Sequence, residues 1–426
     1  MRPSGPLQKE TEMNKEITGS LMDPAIQQCP FPMYKTMREN APVHFIEEMG
    51  IYMVTSYDLL MEVMKNNHVY SNRAPEGERR AGITCDKAER IVSEEGYGRN
   101  APTIVNNDQP GHTFYRGLVE RAFRAGRIRK MEAYITETVD RLIDQFADQD
   151  SCEAVADLAV PVPMYVIADQ LGVPRENFKK FKEWSDAWVI GLGLPVPDEK
   201  LIEAAELVVE MQHYMIARLY ERRQKAEDDM LSDLAVCTYE DGELLNDRDL
   251  LSMIEQLLVA GNETTTNGIA NGILHLASDL ELQDRLRENP DQVKTFVEEI
   301  LRYESPVQGL FRYTKEDVVL GGVEIPKGST LMIRYASGNR DEDKFTAGDD
   351  FNMDRKNSGA HLAFGSGIHH CVGSQLARAE MLVSFTSMLK KFKRFELACD
   401  KDDIQYHFSF ALRGPQAVPL TLTPAD

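Results

Sequence analysis

The chain has 426 residues, 42% of them hydrophobic and 27% charged, a balance that excludes a disordered polymer and permits a large buried core. A formal net charge of -21 argues against nucleic acid as the main partner, because a polyanion is repelled over most of such a surface. There is no apolar run of about 18 residues, and the polar start MRPSGPLQKETEMNKEITGS has no signal-peptide core, so a cytoplasmic protein without a membrane anchor is expected.

No linker, low-complexity tract or repeat divides the chain. One domain over residues 25–426 is therefore expected, after an extended or disordered segment at 1–24. In chain order, PVHFIEEMGIYMVTS (42–56) predicts a hairpin turning at Met49-Gly50, and DLLMEVMKNNH continues at helical spacing. The polar stretch from Ser71 to about Asn100 reads as a loop, a candidate lid. Helical spacing resumes at Pro110 and recurs over 163–191, 198–226, 247–279, 281–287, 291–304 and 373–392. VVLGGVEIPKGSTLMIRYAS, with its Gly-Gly and Lys-Gly turns, predicts short strands. The fold class is mainly α with small β-sheets.

The six cysteines (Cys29, Cys85, Cys152, Cys237, Cys371, Cys399) are scattered without a C-x-x-C pair, which argues against a disulfide framework or zinc finger; most are expected to be buried thiols. Cys371 differs. It closes HLAFGSGIHHCVG, in which Phe364, Gly365, Gly367, His369, Cys371 and Gly373 form F-G-x-G-x-H-x-C-x-G ahead of an apolar helical pattern. Glycines let backbone N–H groups approach a sulfur that must stay anionic, and the positive end of the following helix favours thiolate over thiol. A zinc reading through His361, His369, His370 and Cys371 matches no familiar zinc spacing.

A second constellation lies in LLVAGNETTTNGIANGI (257–273), where Gly261, Asn262 and three threonines interrupt a good amphipathic pattern against their helix propensity. Such local failures are expected at functional sites, and threonine hydroxyls bond back to helix carbonyls. Glu299-Ile300-Leu301-Arg302 is E-x-x-R, which places both side chains on one helix face.

The cysteine stretch resembles the haem-binding signature of the cytochrome P-450 superfamily, and Ala260-Gly261-Asn262-Glu263-Thr264-Thr265 resembles that family's oxygen-activation motif. The resemblance runs over about residues 25–425, with the motifs in the family's order. It implies a single-domain P-450 fold holding one haem b, with Cys371 as the iron ligand. It further implies that Gly261 leaves room for dioxygen, Thr264 hydrogen-bonds the reacting oxygen and Glu263 relays protons. Glu299, Arg302 and Arg355 take the family's structural network. His112 and Arg116 in NDQPGHTFYR, where Gln109 replaces a usual proline, join Arg312 and His369 as groups for the haem propionates. Phe364, Gly365 and Gly373 complete the cofactor loop.

Pocket positions carried over by frame are Gln256, Val259, Ala260, Val307, Leu310, Ala411 and Leu412, with Gln256 meeting a polar group of the substrate and Trp188, Val189 and the 77–105 loop at the entrance. Their apolar character implies a terpenoid, steroid, fatty-acid or aromatic substrate. Arg121, Arg124, Arg127, Arg129 and Lys130 read as a docking patch for an acidic electron carrier. The implied carrier is a ferredoxin, of the 2Fe-2S or another type, with its reductase, or alternatively flavodoxin. The implied activity is insertion of one atom of dioxygen into the substrate. A peroxygenase, a haem carrier and a non-haem hydrolase using the histidines are the competing readings.

Overall fold

The computed structural model describes residues 20–21, 23–75, 85–98, 101–123, 125–190 and 196–425. The segment 1–19, part of the expected 77–105 entrance and Arg124 lie outside them. Contacts cluster into two compact units: residues up to 75, 294–371 and 405–416 make the first, and 76–293, 372–404 and 417–426 the second. One crossing falls inside the helix Val293–Tyr303 and another just before the helix at Ser374, so none of the usual linker composition marks them.

The chain opens with α1 (Pro24–Gln28), α2 (Phe31–Asn40), β1 (Val43–Ile46), β2 (Ile51–Val54), α3 (Tyr57–Lys65) and β3 (Tyr70–Ser71). The hairpin turns where Met49-Gly50 predicts it: Gly50 takes φ +64, and its N–H bonds the Ile46 carbonyl at 2.9 Å. Next come α4 (Asp86–Glu94), α5 (Gly111–Ala122), α6 (Ala125–Asp144), β4 (Ser151–Glu153), α7 (Pro161–Gln170), α8 (Phe178–Val189), α9 (Asp198–Gln224), α10 (Met230–Ala235), α11 (Asp247–Ser278) and α12 (Leu280–Glu288). The rest is α13 (Val293–Tyr303), β5 (Leu310–Thr314), β6 (Val318–Leu320), β7 (Val323–Ile325), β8 (Thr330–Ile333), α14 (Tyr335–Gly338), α15 (Ser374–Lys391), β9 (Phe392–Leu397) and β10 (Pro419–Pro424).

In the first unit a five-stranded sheet has the order β1-β2-β8-β5-β3, with β2 and β8 parallel and the other pairs antiparallel. Val54, Leu331 and Ile333 bury its face against Tyr57, Leu60 and Val63 of α3. In the second unit the helices dominate. Their core runs through α7, α8, α9 and the first half of α11, and β4, β10 and β9 form a small sheet beside them.

Three expectations need correction. The polar stretch after Ser71 contains α4, because Ala88 and Val92, four apart, bury themselves against α9. The periodic run 163–191 is two helices, broken by Gly172 at φ +67 and by Pro174, which cannot continue a helix. Only Cys85 and Cys237 of the six cysteines are buried, and Cys29 is exposed. By contrast α11 runs unbroken through its threonines. Asn246 caps it by accepting the Asp249 N–H at 2.8 Å, and it is buried nearly all round, as a helix inside a core must be. Gly272 allows the close approach of α15, since a Cβ there would sit 2.1 Å from the Phe385 ring.

Candidate active site

In the first unit the cysteine loop is a backbone construction. Gly365 (φ +66) and Gly367 (φ +70) occupy the left-handed region, and a Cβ on Gly367 would meet the Met64 carbonyl oxygen of α3 at 2.6 Å. Gly365 N–H bonds the Leu362 carbonyl at 2.8 Å and His370 N–H bonds the Gly367 carbonyl at 3.1 Å, which closes two tight turns. The loop then folds back, with Cys371 N–H donating to the Phe364 carbonyl at 2.9 Å. The thiol is partly exposed and in no disulfide. His369 sits in the short 3-10 turn Gly367–His369, and the Phe364 ring lies 5.7 Å from His361 and 6.4 Å from His370. Gly373 has an ordinary φ of -85 and opens α15 without a side-chain cap, so its place in the motif is not a matter of backbone handedness.

Behind this loop the E-x-x-R pair is assembled with its third member. Glu299 and Arg302 are both 0% exposed and doubly bonded, Nε to Oε2 at 2.9 Å and Nη2 to Oε1 at 2.7 Å. Arg355 Nε reaches Glu299 Oε1 at 3.3 Å, and the Asn352 N–H donates to the same oxygen at 2.8 Å. Arg302 also donates to the carbonyls of Asn339, Gly348 and Asp350. Burial of an ion pair is tolerable only when the remaining donors are satisfied, as here.

Asn339, which sequence reasoning assigned no role, ties this network to the loop. Its carbonyl accepts from Arg302 at 2.8 Å, its Oδ1 accepts the Leu362 N–H at 2.6 Å, and its Nδ2 donates to Ser305 at 2.7 Å. Nothing in the local pattern of GNRDEDKF marks an asparagine that will be fully buried.

Also in the first unit, Arg312 on β5 is 4% exposed and bonds only its neighbour's carbonyl, that of Phe311, at 2.7 Å; no acid among the described residues pairs with it. Val307 and Leu412 form an isolated bridge, the Gln308 N–H bonds the Ala411 carbonyl at 2.7 Å, and Leu310 is an exposed apolar side chain. Val307 and Leu412, distant in sequence, thus meet, with Ala411 bonded beside them. His361, from the zinc reading, turns instead to Glu298, 3.2 Å away.

The second unit carries the other set. Thr264 Oγ1 donates to the Ala260 carbonyl at 2.7 Å, the back-bond expected of a mid-helix threonine. Ala260 is exposed and Val259, Gly261, Glu263 and Thr264 are partly so, between two buried stretches of the helix at 250–258 and 265–274. A Cβ on Gly261 would meet Ile167 of α7 at 3.6 Å, an ordinary contact. Asn262 donates to Ser185 of α8 at 3.1 Å. Burial raises the Glu263 carboxyl above its usual range, opposed by Lys182 and reinforced by Asp186, an ion-paired couple on α8.

On α5, His112 is buried. Burial, and after it the neighbouring Arg116, lowers its pKa, which leaves a neutral ring with one N–H to donate. Arg116 pairs with Glu120 through Nε at 2.8 Å.

Gln256 is a correction. Its Oε1 accepts the Val105 N–H at 2.8 Å, and its Nε2 donates to Thr103 Oγ1 at 2.6 Å and to Ser252 Oγ at 3.0 Å. The amide is spent on the protein rather than held open for a substrate. Trp188 is likewise buried in the helical core instead of standing at an entrance. The basic patch is partly neutralised: Arg127 pairs with Asp233 at 2.8 Å, and both Arg127 and Lys130 approach Asp228 at 3.5 Å. Arg121 is exposed, and the Arg129 side chain lies outside the described residues.

Among the described residues no group of three His, Cys, Asp or Glu side chains could hold a metal ion, and no helix is long and apolar enough to cross a membrane. Residues 175–417 match the family model described as Cytochrome P-450. The chain is 33% identical over 401 residues to cytochrome P-450 109 of Bacillus spizizenii, covering 92% of each chain. It is 32% identical to the vitamin D(3) 25-hydroxylase of Pseudonocardia autotrophica, over 93% of this chain and 94% of that one. Among solved structures, cytochrome P-450 CREJ in complex with (4-ethylphenyl) dihydrogen phosphate superposes with a TM-score of 0.86 at 28% identity, over 93% of this chain and 98% of that one.

Proposed function

Since this chain belongs to the cytochrome P-450 family and is a haem b monooxygenase of that fold, we propose that Cys371 is its iron ligand and that Glu263 and Thr264 handle the protons of the reaction. The observation that carries this is the cysteine loop. Two left-handed glycines and the bond from Cys371 N–H to the Phe364 carbonyl hold a partly exposed thiol, in no disulfide, in a fixed place.

The first unit's residues fit the cofactor. Arg312 is a buried arginine with no acid paired to it among the described residues, an arrangement that costs free energy until a carboxylate arrives, and a haem propionate is such a group. His112, Arg116 and His369 are the further propionate partners by family position. When bound, a haem held by a thiolate activates dioxygen so that one oxygen atom enters the substrate.

Thr264 spends its one O–H on the Ala260 carbonyl, so its lone pairs remain to accept a proton-bearing group on that face. Glu263, with its pKa raised by burial, holds a proton more readily than a surface carboxylate. Lys182 and Asp186, both partly solvent-exposed, give it a route to water. Glu299, Arg302, Arg355 and Asn339 act only by fixing the loop.

The substrate is an apolar small molecule, and the positions that the family assigns to its contacts are Val259 and Ala260 in the second unit and Val307, Leu310, Ala411 and Leu412 in the first. A relative named as a vitamin D(3) hydroxylase and a solved P-450 holding an aryl phosphate support the steroid and aromatic members of the expected set. Electrons come from a ferredoxin and its reductase. Arg121 and Lys130 are the described cations exposed to meet an acidic carrier.

The decisive test is the reduced holoenzyme under carbon monoxide: a red-shifted Soret band of thiolate ligation is expected, absent in Cys371→Ala. A wild-type protein without that band overturns the assignment. With ferredoxin, reductase and the best binder from a steroid and aromatic panel, Thr264→Ala should keep haem but send most reducing equivalents to hydrogen peroxide. Unchanged coupling removes Thr264 from the relay.

A further inference from the structure

Arg302 and Arg334 are both buried arginines of the first unit, and they use the same edge of the guanidinium differently. Nε and Nη2 lie side by side along that edge and form the two-pronged grip that fits a carboxylate. Arg302 closes it on Glu299, at 2.9 and 2.7 Å. Arg334, 1% exposed just past β8, spends Nη1 on the Phe410 carbonyl, whereas its Nε and Nη2 are buried with no hydrogen-bond partner. The Tyr34 ring lies 5.5 Å from its Cζ, and no acid among the described residues pairs with it. Desolvation lowers its pKa, with Tyr34 alone opposing the shift. A buried cation without a counter-charge is costly, so the open edge points to an oxyanion.

The group that fits Arg334 is not the one that meets Arg312. Arg312 stands opposite Leu331 on β8, and cross-strand partners share a face, here the one packed on α3. Met332 points the other way, into the cluster that holds Tyr34, and Arg334 lies over Tyr34. The two arginines therefore serve opposite faces of the sheet. Arg340 and Arg413, which lie over Phe31 of the Tyr34 cluster, share Glu304 at 3.5 and 3.2 Å. One guanidinium with no second cation left over matches the single charge of a carboxylate better than a phosphate dianion.

We infer that Arg334 is a specificity-determining residue whose open edge takes a carboxylate at one end of an otherwise apolar substrate. The residue that Arg334 grips, Phe410, immediately precedes Ala411 and Leu412, so the hydrocarbon part of that acid lies along these two. The inference rests on the reading that Ala411 and Leu412 are substrate contacts, and it narrows the apolar class to carboxylic acids.

Calorimetric titration of the holoenzyme with decanoate and decan-1-ol tests it. Wild type should bind the acid at least about tenfold more tightly than the alcohol. Arg334→Leu should weaken decanoate at least about tenfold and leave decan-1-ol within about twofold, and Arg334→Lys should keep only part of the preference, because an ammonium lacks the fork. A wild type that treats the two probes alike, prefers the alcohol or binds neither overturns the inference without any variant. Equal weakening of both probes in Arg334→Leu overturns it as well, since that is what a packing role gives. The heat of binding does not depend on the iron's absorbance, so a missing Soret band under carbon monoxide counts against the haem reading alone.

Discussion

Glu299 and Glu380 are both buried carboxyls, at 0% and 2% exposure, yet their surroundings are opposite. Glu299, in the first unit, is met by Arg302, Arg355 and a backbone N–H. Glu380, on α15 in the second, has an Oε2 with no hydrogen-bond partner, and burial alone pushes its pKa well above the usual carboxylate range. Burial therefore does not decide the charge of an acid. The partners differ: the Glu299 oxygens take donors from Arg302, Arg355 and Asn352, whereas burial with an unmet Oε2 raises the Glu380 pKa and favours its protonated form.

Breaking the satisfied member should have the largest effect. Arg302→Ala leaves Glu299 buried beside a single arginine and strips three carbonyls of a donor, so a loss of about 3–5 kcal/mol is expected in denaturant unfolding. Arg302→Lys should recover little, because an ammonium cannot reproduce the fork.

Glu380→Gln sharpens the other side. A folded pKa raised above the unfolded one means that near pH 4 both states are protonated and burial costs nothing through ionisation. As pH rises, only the unfolded chain releases its proton, and stability falls by up to about 1.4 kcal/mol per pH unit until the folded pKa is reached. The glutamine variant lacks this fall. Its unfolding midpoint relative to wild type should be unchanged near pH 4 and higher at pH 7. A parallel offset at both pH values would mean that Glu380 is ionised in the fold.

Glu263 stands between the two, half-buried and with Lys182 opposing the shift. Lys182→Met should move the alkaline limb of coupled turnover upward in pH, and Asp186→Asn should move it downward. These are the smallest effects, because both side chains are partly solvent-screened.

The same contrast explains what was legible. Glu299 and Arg302 announce themselves by spacing, and Arg355 by its order in the chain, because a network that closes on itself needs fixed residue types. Gly365 and Gly367 are legible because left-handed backbone has few substitutes, and Cys371 because it stands at a fixed spacing from them. The helix α4 was hidden because Ala88, Ile91 and Val92 are too few apolar residues to stand out among charges. Gln256 was misassigned because its partners, Thr103 and Val105, lie about 150 residues upstream and no local pattern pairs them.

The sequence by itself determined the mainly helical class and the cytochrome P-450 motifs in their order, since these depend on local periodicity and on fixed residue types at fixed spacing. The tertiary structure alone decided that Asn339 joins Arg302 to the cysteine loop, that the Gln256 amide is bonded to Thr103, Val105 and Ser252, and that Glu299 meets donors where Glu380 Oε2 meets none. The physical reason is that a buried polar group takes its role from whichever donors and acceptors the fold brings within about 3 Å, and those come from distant stretches of chain.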